Sequence, residues 1–328
     1  MRAPAVLAAA LLLAWPAAAA PKRTMAITID DLPYASAGVP CEPGADRAFT
    51  AEFLRMLKGE GVPAVGFAIT GQTCGDAPPA PVLIEAWLDA GFEIGSHSAT
   101  HPNLNDVGME AYEADVLAAE TVLKPMLERR GQTLVWYRHP YLRTGATPEI
   151  SGRLSAFLAG RGYRVAPVTL DNSEWVFAVA YAKALYRNDA DEARRVGEAY
   201  VDYMDEIAAF FESRALAIVG RETPQVLLIH ANQLNRDWFP ALKRRYEARG
   251  YGFVSLAKAL EDPAYALPDT YAGRWGMSWI LRWGASSGVK VVREPDAPAW
   301  ITRLYDAPLG CAVPATLEPA PGGAKLDC

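Results

Sequence analysis

The chain has 328 residues, 51% of them hydrophobic and 21% charged, with 32 Lys+Arg against 38 Asp+Glu and a net charge of −6. That balance fits an enzyme-sized globular chain with one large core, and it argues against disorder and against nucleic-acid binding by charge. The first residues, MRAPAVLAAALLLAWPAAAA, place Arg2 before an apolar run with a small-residue end. This is the pattern of a secretory signal, too short and Ala-rich for a stable membrane anchor, with cleavage expected after Ala19. Losing residues 1–19 removes one Arg and no acid, so the charge becomes −7. An exported protein, periplasmic or secreted, is expected. Its even set of cysteines, Cys41, Cys74, Cys311 and Cys328, is compatible with two disulfides in any of three connectivities.

Seven short apolar runs then recur with helical stretches between them: MAITI (25–29), AVGFAI (64–69), FEIGS (92–96), LVWY (134–137), YRVAPV (163–168), QVLLI (225–229) and YGFVSL (251–256). The alternation predicts a parallel α/β fold, either a barrel or an open sheet. Helical spacing is clearest where Phe49, Phe53, Leu54 and Leu57 share a face that stops at Gly59 and Gly61. A second helix carries Val116, Ala119, Leu123 and Leu127, and Pro125 is expected to kink it. No G-x-G-x-x-G follows the first strand, so a dinucleotide site has no support. Beyond Pro263 the texture changes. Trp275, Trp279 and Trp283, spaced by four, predict one helical face, with Trp300 further on; packing against the main fold is favoured over a sugar-stacking platform or a membrane or partner contact.

In parallel α/β folds chemistry gathers where strands end. Asp30 and Asp31 follow the first run, His97 and His101 the third, Arg138 and Tyr141 the fourth, Glu174 and Trp175 the fifth, and His230 the sixth. Singly these are a helix cap, two loop histidines, a surface charge, core aromatics and a core histidine. Jointly they supply a reaction. Two imidazoles and one carboxylate bind a divalent metal and leave positions open for water and substrate. A second carboxylate can take a proton from the water, and a separate histidine can protonate the leaving group. Asp30 and Asp31 offer ligand and base, and His230 the acid.

The set TIDD, HSATH, RHPY, DNSEW and LLIH, in this order over residues 28–230, resembles the five motifs of the polysaccharide deacetylases, the NodB-homology family or carbohydrate esterase family four. The resemblance implies a distorted (β/α) barrel, TIM-like with about seven parallel strands, over residues 20–262; it does not extend into the Trp/Pro-rich C-terminal extension expected over 263–328. It implies removal of N- or O-acetyl groups from an acetylated carbohydrate. By the same resemblance Asp30 is the general base, and Asp31, His97 and His101 hold a divalent metal, zinc first and cobalt next. Arg138 orients the base, the Tyr141 N–H helps to hold the oxyanion, Trp175 and Leu228 line the acetyl-methyl pocket, and His230, supported by Glu174, is the acid.

Three departures accompany it. Leu142 stands where the family usually has glycine, so a reshaped loop is expected. Glu174 replaces the usual Asp before the Trp, and about fifty residues separate Trp175 from LLIH. On the barrel, Cys41 and Cys74 fall in loops after neighbouring strands and are expected to pair, leaving Cys311 with Cys328. Two other readings stand beside the hydrolase: a catalytically impaired carbohydrate-binding member of the fold, and a 2-His-1-carboxylate Fe(II) oxygenase, in which Arg138, His230 and one Asp would be idle.

Overall fold

The computed structural model describes residues 23–72, 74 and 80–311; the expected signal segment 1–19 and Cys328 lie outside them. Seven strands, all paired in parallel, form one sheet: β1 (Arg23–Leu32), β2 (Ala64–Ala68), β3 (Glu93–Ser96), β4 (Trp136–Tyr137), β5 (Arg164–Val165), β6 (Gln225–His230) and β7 (Tyr251–Phe253). The helices between and after them are α1 (Ala45–Glu60), α2 (Ala80–Asp89), α3 (Leu104–Glu128), α4 (Pro148–Gly160), α5 (Glu174–Tyr186), α6 (Ala190–Val219), α7 (Gln233–Ala248), α8 (Leu256–Ala259), α9 (Trp279–Ser286) and α10 (Ala299–Asp306).

The strand order β5-β4-β3-β2-β1-β6 curls back on itself, because the segment after β5 reaches β6 through a parallel bridge between Leu170 and Leu227. Thr169 N and Leu170 N both donate to Val226 O, at 3.0 and 3.1 Å. This closure makes a distorted barrel, as the motifs imply. β7 shares the edge of β1 used by β2 but pairs only at Arg23–Met25, below it.

Period-two alternation divides the strands cleanly. Ala26, Val65, Phe67, Trp136, Ala166 and Val226 pack inside the barrel, where Leu256 and Ala259 of α8 join them. Met25, Ile27, Ile29, Ile94, Tyr137, Leu227 and Ile229 face outward into the larger core under the helices. Continuing the inward phase places Asp30, His97, Arg138 and His230 on the barrel axis at the carboxyl rim.

Two sequence expectations need correction. The dihedral break in α3 is at Gly108 (φ 77°, ψ 171°), and the helix runs on through Pro125 to Glu128. A proline three residues before a helix end disturbs few backbone bonds, whereas an achiral glycine accepts the left-handed break near the start. The tryptophan stripe is also shorter than its spacing predicts. Helix α9 begins at Trp279, so Trp279 and Trp283 are buried while Trp275 lies in the preceding irregular segment, 69% exposed.

Residues 263–311 are joined closely to the barrel. Trp279 N donates to Val168 O and Ser278 Oγ to Thr169 O, both at 2.7 Å, so this segment seals the seam where the barrel closes. The Cys41–Cys74 disulfide ties the loops after β1 and β2, with Cα atoms 5.2 Å apart; Cys311 is also disulfide-bonded. Loop-closure entropy over the 33-residue separation predicts that the double variant Cys41→Ser/Cys74→Ser loses about 3 to 4 kcal/mol. Urea unfolding monitored by circular dichroism, against the parent protein, measures this.

Candidate active site

Adjacent residues on a regular strand point to opposite faces, so Asp30 and Asp31 should not meet at one site. A register shift in β1 removes the conflict. Ile29 pairs with Gly66 and Leu32 with Ala68, so β1 carries one residue more than β2, and Asp31 adopts φ 61°. The bulge turns both carboxylates toward His97, whose Nε2 lies 3.7 Å from Asp30 Oδ2 and 3.5 Å from Asp31 Oδ1.

His97 and His101 sit on a turn after β3. Ser98 and His101 have φ 69° and 56°, and Asp115 of α3 holds the turn by accepting from Ala99 N, Thr100 N and Thr100 Oγ1. His97 Nδ1 donates to Arg138 O at 2.9 Å, which leaves its Nε2 lone pair facing the aspartates. His101 Nε2 is 3.7 Å from Asp31 Oδ1. Burial, followed by the neighbouring His101, holds His97 well below its usual pKa, and burial likewise lowers His101, so both rings are neutral and available as ligands at pH 7.

These three side chains fit a divalent cation. One donor atom from each of Asp31, His97 and His101 lies within 4.8 Å of the others, and Asp31 Oδ1 is buried without a hydrogen-bond partner. Five of the seven non-glycine residues with positive φ among the described residues surround this point: Asp31, Ser98, His101, Tyr141 and Leu142. Strain of this kind persists where packing over-determines the backbone, and it clusters at functional sites.

Arg138, fully buried, lies over the Phe67 ring at 4.7 Å and donates to Thr28 Oγ1 at 2.8 Å. Its Nε is 3.9 Å from Asp30 Oδ1, beyond hydrogen-bond range but close enough to act by charge. Burial raises Asp30 to about 6 against the opposing pull of Arg138, so Asp30 is mostly a carboxylate at neutral pH and sits near the range where a base works best.

The register between β1 and β6 sets Asp30 directly opposite His230. Glu174, at the first turn of α5 and completely buried, accepts from His230 Nδ1 at 2.6 Å through Oε2. Its Oε1 accepts from Asn232 Nδ2 and Asn235 Nδ2, each at 2.6 Å. The longer Glu side chain is thus fully engaged. Burial disfavours a charged His230 ring, but the charge and hydrogen bond of Glu174, then Asp31 and Asp30, outweigh it and raise the pKa to about 10.

A cavity of about 790 Å³ joins these groups, with Trp175 and Leu228 in its wall. The Tyr141 ring (φ 58°) packs tilted against His101 at 4.5 Å, and Leu142, where a reshaped loop was expected, takes φ 54°. Asp171 also lines the cavity, raised to about 7 by burial and by Glu294. Every predicted site residue of the barrel therefore lies at this rim. Asp115, Asn232, Asn235 and the cavity-lining Tyr271 and Arg293 were not anticipated, and Trp275, expected to pack, lines the cavity instead. Only the cap-like Asn232 ahead of α7 left a local sequence signal.

The fold and the rim define an α/β-barrel protein with an Asp-His-His metal-type cluster beside a second carboxylate and a paired histidine. Residues 17–152 match the family described as polysaccharide deacetylase. A chitin deacetylase from Pestalotiopsis sp. is 26% identical over 209 residues, covering 64% of this chain and 58% of its own length. A chitooligosaccharide deacetylase from Sinorhizobium fredii is 31% identical over 98 residues, 28% of this chain and 44% of its own. The matched segments thus span only about half the length of these relatives. The solved chitin deacetylase of Colletotrichum lindemuthianum superposes with a TM-score of 0.46 at 21% identity, covering 74% of this chain and 90% of that one.

Replacing Glu174 by Gln keeps the side-chain length but removes the charge that raises His230. The His230 pKa is expected to fall well below about 10, since only the charges of Asp31 and Asp30 then oppose burial. Titration of the His230 ring by ¹H–¹⁵N NMR in metal-free protein reads this shift; an unchanged pKa would show that Glu174 does not govern it.

Proposed function

We propose that the protein is a metal-dependent hydrolase that removes acetyl groups from a carbohydrate. The observation carrying this reading is the bulge in β1, which puts a ligand-type and a base-type aspartate at one histidine, with His230 directly across the strand pair. A divalent cation held by Asp31, His97 and His101, zinc first and cobalt next, would polarise the acetyl carbonyl and acidify a water molecule.

The chain's own groups account for the proton movements. Asp30, ionised at neutral pH, takes the proton of the attacking water, and Arg138 steadies its charge. Trp175 and Leu228 offer an apolar wall for the acetyl methyl, and the Tyr141 N–H is the oxyanion donor. His230, protonated through Glu174, gives its Nε2 proton to the departing nitrogen or oxygen as the bond to the acetyl carbon breaks. Acetate and the free amine or hydroxyl are the products. Arg138, His230 and Asp30 all have work in this scheme, whereas an oxygenase would leave them idle. The Cys41–Cys74 disulfide favours an oxidising compartment, and no described helix is long and apolar enough to cross a membrane.

Asp30→Asn is expected to keep stoichiometric metal while kcat for acetate release falls roughly 10²- to 10⁴-fold. His97→Ala is expected to lose the metal itself. Elemental analysis of the purified variants together with acetate release from N-acetylchitooligosaccharides and acetylated xylan tests both. Normal turnover by Asp30→Asn would overturn the mechanism.

A further inference from the structure

The segment 269–282 reaches over the rim and docks on the loop after β4. Gly273 N donates to Gly145 O at 2.9 Å, and a Cβ at Gly276 would lie 2.1 Å from Tyr141 O, so only glycine permits this approach. The buried Arg282 fastens the contact: its Nη2 donates to Leu142 O and Thr144 Oγ1 at 3.0 and 3.1 Å, and its Nη1 pairs with Asp269 at 3.0 Å. Leu142 and Thr144 are the two neighbours of Arg143, which is thereby held in a preset place.

Arg143 lines the cavity with its guanidinium 5.0 Å over the Tyr141 ring and 5.3 Å over the Trp275 ring. Among the described residues it has no carboxylate within ion-pair range and no side-chain hydrogen bond, and its Nε is buried without a partner. The cavity's carboxyls away from the metal cluster, Asp171 and Glu294, form no ion pair with Arg143; Asp171 is instead influenced by Glu294, Arg138 and Arg282. A cation preset between two aromatic rings, with its donors unspent, is built to receive an anion. Trp275, 69% exposed beside it, offers an open ring face of the kind on which sugars lie. From His101 through Tyr141 and Arg143 to Trp275 the stack leads outward from the metal cluster.

We propose that the C-terminal segment completes a second sugar subsite beside the acetyl pocket, in which Trp275 stacks on a sugar ring and Arg143 binds that sugar's carboxylate. The substrate is then an acetylated saccharide carrying an acidic sugar next to the acetylated one. This rests on the hydrolase reading above and deepens it by assigning the neighbouring residue of the substrate.

The test compares three tetrasaccharides on the metal-loaded protein: neutral N-acetylchitotetraose, an alternating N-acetylglucosamine–glucuronate chain, and an alternating N-acetylglucosamine–N-acetylmuramate chain whose carboxylate is a lactyl ether. Calorimetric Kd and acetate release are measured in parallel at low salt. At least one acidic chain is expected to bind about tenfold or more tightly than the neutral one, and which one identifies the source of the carboxylate. Arg143→Gln should collapse that ratio, Arg143→Lys should keep part of it, and Trp275→Ala should weaken all three chains. Arg143 makes no hydrogen bond that the fold needs, and equal melting temperatures of the variants verify this. Equal Kd values for acidic and neutral chains, or a ratio surviving in Arg143→Gln, would overturn the subsite while leaving the hydrolase reading standing. Carboxylate-dependent binding with no acetate released from any chain would do the reverse.

Discussion

One extra residue in β1 is the constraint on which the site depends. Pleating alternates side chains between the two faces of a strand, so the paired aspartates of TIDD would serve different faces if β1 ran regularly. The register shift after Ile29, together with the left-handed Asp31, sets both carboxylates within 4 Å of one imidazole. The cost is a backbone conformation that a β-carbon disfavours. It is borne because β1 is the central strand, held by β2 and β6 on opposite edges and by β7 at its start.

Around this point the barrel separates charges that would otherwise cancel. Arg138 sits 3.9 Å from Asp30 while its carbonyl fixes the His97 ring, so one residue tunes the Asp30 carboxyl by charge and sets the His97 tautomer. On the other side of Asp30, Glu174 is anchored by Asn232 and Asn235 and spends its remaining oxygen on His230. The result is a carboxyl near 6 facing an imidazole near 10, two proton affinities set by environment rather than by residue type. The helical insertion α5–α6 has a part in this, since Glu174 rides on its first turn and Tyr200 of α6 donates to Asn235 Oδ1.

The C-terminal segment binds to the barrel at the two places where the barrel is weakest. It closes the seam between β5 and β6, where regular pairing is reduced to a bridge, and it braces the loop carrying Tyr141 and Leu142, both in the left-handed region. A glycine at 276 and a fully engaged arginine at 282 are the means. The same docking brings Tyr271, Trp275 and Arg293 to the cavity, so its wall combines the barrel rim with residues beyond 263.

Alternating apolar runs made all seven strands legible from the sequence, and the residues after each run already gathered the aspartates, histidines and arginine that meet at the rim, because a strand's inward phase continues unbroken into its carboxyl end. Asp30, His97, Arg138 and His230 obey that phase. Asp31 does not, and only the bulge, a pairing irregularity between strands distant in sequence, decided that it joins the others. The closure at Leu170, the left-handed break at Gly108 and the emergence of Trp275 outside its helix were likewise invisible, since each depends on which segments come to lie side by side. The sequence by itself determined the fold class and the chemical groups, through periodicity and residue type. The tertiary structure alone decided their convergence, the proton affinities of Asp30 and His230, and the cover supplied by residues 263–311, because burial and neighbouring charge exist only once the chain has folded.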